Sequence, residues 1–210
     1  MFTPRSPLKR RIGSALALAL LAACGGGGDS PPSAALSGAA AAGAGSGAAP
    51  SATPSSPAGA ATAAATCGLS NFAADALARI NQVRAAGATC GTRGSYAPAT
   101  AVTWAPLLTQ SGEGHSRDLA TLNYFSHTSA DGRDLADRVN ATGYAWNTLG
   151  ENIAAGFASV NLVMDGWTAS DGHCANLMNP DFTEVGMACV PGATGSVYNT
   201  YWTMDLGRPR

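Results

Sequence analysis

Thr183-Glu184-Val185-Gly186-Met187-Ala188-Cys189-Val190 and Val197-Tyr198-Asn199-Thr200-Tyr201-Trp202-Thr203-Met204-Asp205-Leu206 are two strand-like runs. Pro191, Gly192 and Gly195 between them carry turn chemistry, so the pair reads as a hairpin. Shorter strand-like runs lie upstream at Asn152 to Ala155 and Ala101 to Trp104. Helical spacing dominates the remainder. Ser70 is placed to cap a helix bearing Phe72, Ala76, Leu77, Ile80 and Val83, which Gly87 stops. Pro106 opens a second helix with Leu108, His115, Leu119 and Leu122 on one stripe. A short third helix follows Asp131-Gly132 and carries Leu135 and Val139. Ser159 caps a fourth, whose apolar face is Val160, Val163, Met164 and Trp167; three residues further along, that face reaches Ser170. Helices come mostly first and strands mostly last, the pattern of an α+β fold.

These elements fall in one of three unlike parts of the chain. Residues 1–23 have a basic start (Arg5, Lys9, Arg10, Arg11) and an apolar run from Ile12 to Ala23, too short to span a bilayer and shaped like an export signal. The run closes on Leu21-Ala22-Ala23-Cys24, which resembles a bacterial lipobox. The resemblance implies cleavage before Cys24, acylation of its thiol, and a membrane-anchored lipoprotein facing the periplasm or cell exterior. Residues 24–66 are almost wholly Gly, Ala, Ser, Pro and Thr, a composition that cannot bury enough apolar surface to order itself and reads as a disordered tether. As a flexible coil it spans roughly 35 Å. Residues 67–210 hold every Trp, Tyr and His, and are long enough for one domain with its own core.

Charge narrows the partners. With residues 1–23 removed, eight arginines face 13 acids and no lysine remains, because Lys9 is the only one. That balance argues against phosphate-backbone binding, so no nucleic acid is expected, and the absence of lysine excludes P-loop and Schiff-base chemistry. Within 67–210 the cysteines are Cys67, Cys90, Cys174 and Cys189, an even number in an exported chain, which indicates disulfides. Three pairings are open. The expected one is local, Cys67 with Cys90 and Cys174 with Cys189, since it closes the shortest loops; a structural zinc site is the rival, without C-x-x-C spacing to support it.

Three histidines, His115, His127 and His173, lie close in sequence with Glu151 between the last two. The ordered runs are His115-Ser116-Arg117-Asp118-Leu119-Ala120, Asn123-Tyr124-Phe125-Ser126-His127, Gly150-Glu151-Asn152-Ile153-Ala154, Gly172-His173-Cys174-Ala175-Asn176-Leu177-Met178-Asn179-Pro180 and Phe182-Thr183-Glu184-Val185-Gly186. Together they resemble the bacterial branch of the CAP superfamily, also called SCP or PR-1-like, over nearly all of 67–210. Asn81 and Arg84 in the opening helix fit the same pattern. The resemblance implies a three-layer α-β-α sandwich with a central, mostly antiparallel sheet, and a cleft lined by two His and two acids. Residue by residue, it places the cleft histidines at His127 and His173 and one acid at Glu151. The second acid falls at Ser170, where this chain departs from the pattern. Asp171 beside it is a substitute to consider, and His115 and Glu184 are further candidates for the lining.

Two neutral imidazoles and a carboxylate suit a zinc ion, with His127 and His173 as ligands and Glu151 as base toward a metal-bound water. Catalytic zinc usually has three protein ligands, so the incomplete set weighs against an enzyme. The same residues suit an anion or a peptide terminus, and the family resemblance implies lipid or sterol binding in some members without one shared activity. The leading expectation is therefore a tethered lipid-, peptide- or envelope-binding module. A zinc-dependent hydrolase and a purely structural His/Glu cluster are the alternatives. Gly114-His115-Ser116 lies inside a helix, so it is not a nucleophile elbow, and no H-E-x-x-H occurs.

Overall fold

The computed structural model describes residues 21–22 and 65–210. Cys24 and nearly all of the expected signal and tether lie outside those residues. The elements are β1 (Leu21–Ala22), α1 (Phe72–Ala86), β2 (Ala88–Thr89), β3 (Ser95–Tyr96), β4 (Thr103–Trp104), α2 (Pro106–Leu122), α3 (Leu135–Ala141), β5 (Trp146–Ala155), α4 (Val160–Thr168), α5 (Asp171–Met178), β6 (Glu184–Pro191) and β7 (Thr200–Pro209). Among the described residues no helix is long and apolar enough to cross a membrane.

The expected hairpin forms the centre. β6 and β7 pair antiparallel from Glu184 opposite Gly207 to Pro191 opposite Thr200, and β5 pairs antiparallel along the other side of β7. The strand order is β1-β5-β7-β6-β4, with only the short β4 parallel to its neighbour. β2 and β3, which the sequence pattern did not reveal, form a separate two-stranded ribbon.

Strand alternation sends Val185, Met187, Cys189, Trp202, Met204 and Leu206 to one face, where they meet α1, α4 and α5 in the main core. Each large apolar side chain fully buried there contributes about 1.5–3 kcal/mol. The opposite face receives α2 at unusually short range: a Cβ on Gly186 would lie 2.1 Å from the Thr109 nitrogen. α3 packs beside α2 and β5, completing a helix-sheet-helix sandwich. The α+β class and three-layer order are those the resemblance implied.

Local details differ in instructive ways. α1 begins after Asn71, in left-handed backbone (φ 54), not after a capping Ser70. Leu122 is exposed, because a 3.6-residue period drifts about 20° every seven residues and carries the last turn of α2 off the sheet. α4 stops at Thr168, and Ser170 precedes a separate helix, α5.

The local cysteine pairing is wrong. Cys67 bonds Cys189 and Cys90 bonds Cys174, with Cα separations of 5.2 and 5.3 Å. Cys67 and Cys90 flank α1, whose 15 residues span about 22 Å, and its two ends lie beside different elements, β6 and α5. The observed pairs fasten the chain before α1 to β6, and the loop after α1 to α5.

Candidate functional site

α2 enters left-handed backbone at Asn123 (φ 53), and the segment carrying His127 follows. Composition alone makes this a solvated loop, yet it is heavily anchored. His115, fully buried in α2, donates from Nε2 to the Ser126 carbonyl (2.9 Å) and accepts at Nδ1 from the Ser129 hydroxyl (3.3 Å). Burial lowers the His115 pKa, in keeping with this neutral tautomer. Its imidazole therefore clamps both sides of His127 from beneath instead of lining a cleft.

Arg138, on α3, is the second anchor. The helix starts with a capping box between Asp134 and Asp137, which fixes its first turn. Arg138 Nη1 donates to the carbonyls of His127 (2.9 Å) and Arg133 (3.3 Å) and to Ser129 Oγ (3.3 Å), while Nη2 donates to Glu151 Oε2 at 2.5 Å. The other Glu151 oxygen, Oε1, accepts from His127 Nδ1 at 2.7 Å. Burial alone pushes the Glu151 carboxyl up, but the His127 hydrogen bond and the Arg138 charge prevail and hold it below its ordinary value. The side chains of Glu151 and Arg138 are 3% and 4% exposed against 22% for His127. Only the imidazole reaches the surface.

The Gly-Glu-Asn run works through strand alternation. Glu151 points to the α2 and α3 side, so Asn152 points to the other, where its Nδ2 donates to the His173 carbonyl (3.1 Å). Asn176 Nδ2 returns bonds to the Glu151 carbonyl and Asn152 Oδ1. β5 thereby fastens α5, and with it His173, to the strand that carries Glu151. The His173 imidazole is buried, and its Nδ1 meets Ser170 Oγ at 2.8 Å. Ser170 thus orients this histidine where the family pattern has an acid. Asp171 is not a substitute: it accepts from the backbone and hydroxyl of Thr92. Glu184 stands apart, accepting from the Tyr144 hydroxyl (2.8 Å) in a pocket with Trp104, Pro106 and Arg210.

Arg138, Asn176 and Asp205 were not singled out from sequence. Arg138 gave no signal, since an arginine beside Val139 in a short helix reads as a surface charge. Asp205 alternates with the apolar Met204 and Leu206, which reads as a solvent-facing strand position.

The donor set does not fit the zinc expectation. Among the described residues no group of three or more His, Cys, Asp and Glu can hold a metal ion. Each Glu151 oxygen already accepts a bond, from His127 and from Arg138, and the lowered pKa that results makes Glu151 a weak base toward a metal-bound water.

Residues 77–206, which contain all of these groups, match the model of the CAP family, the cysteine-rich secretory proteins. The chain belongs to this family. CAP relatives include YkwD of Bacillus subtilis, 35% identical over 99 residues, and the membrane protein YlbC of the same species, 38% identical over 74. These matches cover 47% and 35% of this chain but only 36% and 21% of the relatives. Among solved structures, an extracellular SCP-domain protein of Bacillus anthracis is 32% identical, with 52% of this chain and 34% of that one aligned at a TM-score of 0.46. An outer surface protein of Borrelia burgdorferi is 18% identical, with 53% and 80% aligned at 0.48.

Proposed function

We propose that this CAP protein is exported, tethered to the membrane through an acylated Cys24, and binds a lipid, sterol or peptide of the cell envelope at His127. The observation that carries binding over hydrolysis is the full engagement of Glu151 by His127 and Arg138. A carboxylate so held orients an imidazole; it does not take a proton from water. The buried Arg138–Glu151 pair also ties α3 to β5, so the structural reading of the cluster applies to its inner half. His127 is the outer half, and it suits a ligand end bearing a carboxylate or phosphate.

The test uses the full chain with phosphatidylglycerol-containing vesicles and a peptide library, with and without zinc. Saturable binding to one of them, weakened in His127→Ala while the melting temperature holds, is the expected result. Turnover that disappears in a folded Glu151→Gln variant would establish the hydrolase instead. Mass spectrometry of the membrane fraction tests the tether: an unmodified Cys24 removes it.

A further inference from the structure

β5 and β7 set Glu151 directly opposite Asp205, so both side chains leave the same face of the sheet toward α2. Glu151 is 5% exposed and Asp205 is wholly buried. Two acids thus share an interior site with one guanidinium, and that guanidinium bonds Glu151. Among the described residues neither oxygen of Asp205, nor Ser111 Oγ nor Arg138 Nε, has a partner in good hydrogen-bond geometry, while Ser111 and Glu151 lie near enough to interact with Asp205. Around the pair, Arg138 is the one permanent cation among the described residues. α2 contributes Ser111 and the neutral His115, α3 contributes Arg138, the loop contributes His127, and β6 contributes only Gly186 opposite Asp205.

Two adjacent buried carboxylates facing one cation do not both ionise. Glu151 has two well-formed donors that stabilise its anion, one of them the guanidinium, and Asp205 has only the Ser111 hydroxyl nearby. We propose that Glu151 and Asp205 form a carboxyl dyad that holds one proton at neutral pH, carried by Asp205, and that this proton sets the charge behind His127. The neutral acid donates its O–H to Ser111 Oγ or to Glu151, which gives Asp205 a partner. Loss of the proton adds a second negative charge beneath the imidazole and draws a proton onto His127. Ser111 and Arg138 also line a pocket of about 450 Å³ between α2 and α3. Burial next to the Glu151 charge accordingly raises the Asp205 pKa well above its ordinary value. The dyad deepens the proposed binding site, and its significance for a ligand rests on that reading.

Carbon-13 NMR of the full chain, labelled at the Asp and Glu carboxyls, reads the proton directly. The expected result is an Asp205 carboxyl signal at the protonated position at pH 7. In Glu151→Gln its midpoint falls by about one pH unit or more, because the two acids are coupled. Asp205→Asn, which mimics the neutral acid, melts at or above the wild-type temperature at pH 7. An ionised Asp205 at pH 7, a midpoint unmoved by Glu151→Gln, or an Asp205→Asn variant several degrees less stable each overturns the dyad. Since no ligand takes part, failure of the vesicle and peptide probes to bind refutes the proposed function and leaves this measurement intact.

Discussion

Replacing Arg138 with Met isolates the energetic core of the site. The guanidinium and the Glu151 carboxylate are 4% and 3% exposed, so water gives their pairing almost no screening. The substitution conserves most of the volume and removes four donated hydrogen bonds, to Glu151, Ser129 Oγ and the carbonyls of His127 and Arg133. Hydrogen bonds to charged groups contribute about 1.5–3 kcal/mol each, but they share one group and do not add. Breaking a buried pair from one side costs about 3–5 kcal/mol, mainly from the charge left behind. For a domain of this size that lowers Tm by roughly 10–15 °C. Calorimetry at pH 7 under non-reducing conditions measures it. The loss shrinks in acid, because a protonated Glu151 needs no cation, and most of it returns in Arg138→Met/Glu151→Gln, where neither charge remains. A Tm change under about 3 °C, or a loss independent of pH, refutes the reasoning that the pair is buried and mutually dependent.

Cys90→Ser opens a loop closed across 84 positions and destabilises by about 4–5 kcal/mol on chain entropy, read from non-reducing urea melts. Gly186→Ala drives a methyl into the α2 backbone and costs about 3 kcal/mol or prevents folding, whereas Ala at the open Gly114 on the same helix is tolerated; thermal melts compare the two. Stability measured from pH 2 to 9 has two opposing slopes. Glu151, held low, contributes stability that is present above the ordinary carboxylate range and lost as pH falls through its folded value. Asp205, held high, keeps a proton that the unfolded chain releases, so its contribution declines as pH rises from the ordinary range to its folded value; Asp205→Asn removes only this slope.

Much of the architecture was legible because period and punctuation agree. Ser159 caps α4 through the Leu162 amide, and Val160, Val163, Met164 and Trp167 are the buried face that their spacing indicates. The stripe failed where it was carried past Thr168, since Ala169 closes one helix and Ser170 precedes the next. The cysteine pairing was not legible: it follows from which elements lie beside the two ends of α1, β6 at one and α5 at the other, and loop entropy says nothing of those contacts. His127 and Glu151 do meet, as the ordered motifs implied. Arg138 and Asp205 were out of reach because a buried charge looks like a surface one until its neighbours are known. Those neighbours depend on the register of β5 against β7, which no local pattern encodes.

The bond between Cys67 and Cys189 has a mechanical meaning. A pull on the chain immediately before Cys67 meets the disulfide, which passes it to β6, an interior strand of the sheet. Thr66 bridges Cys189 beside it, so the backbone shares the load. α1 lies beyond the fastening point and feels none of the force. If the protein is anchored through Cys24 as proposed, its domain is loaded through an interior strand of the sheet and not through its first helix.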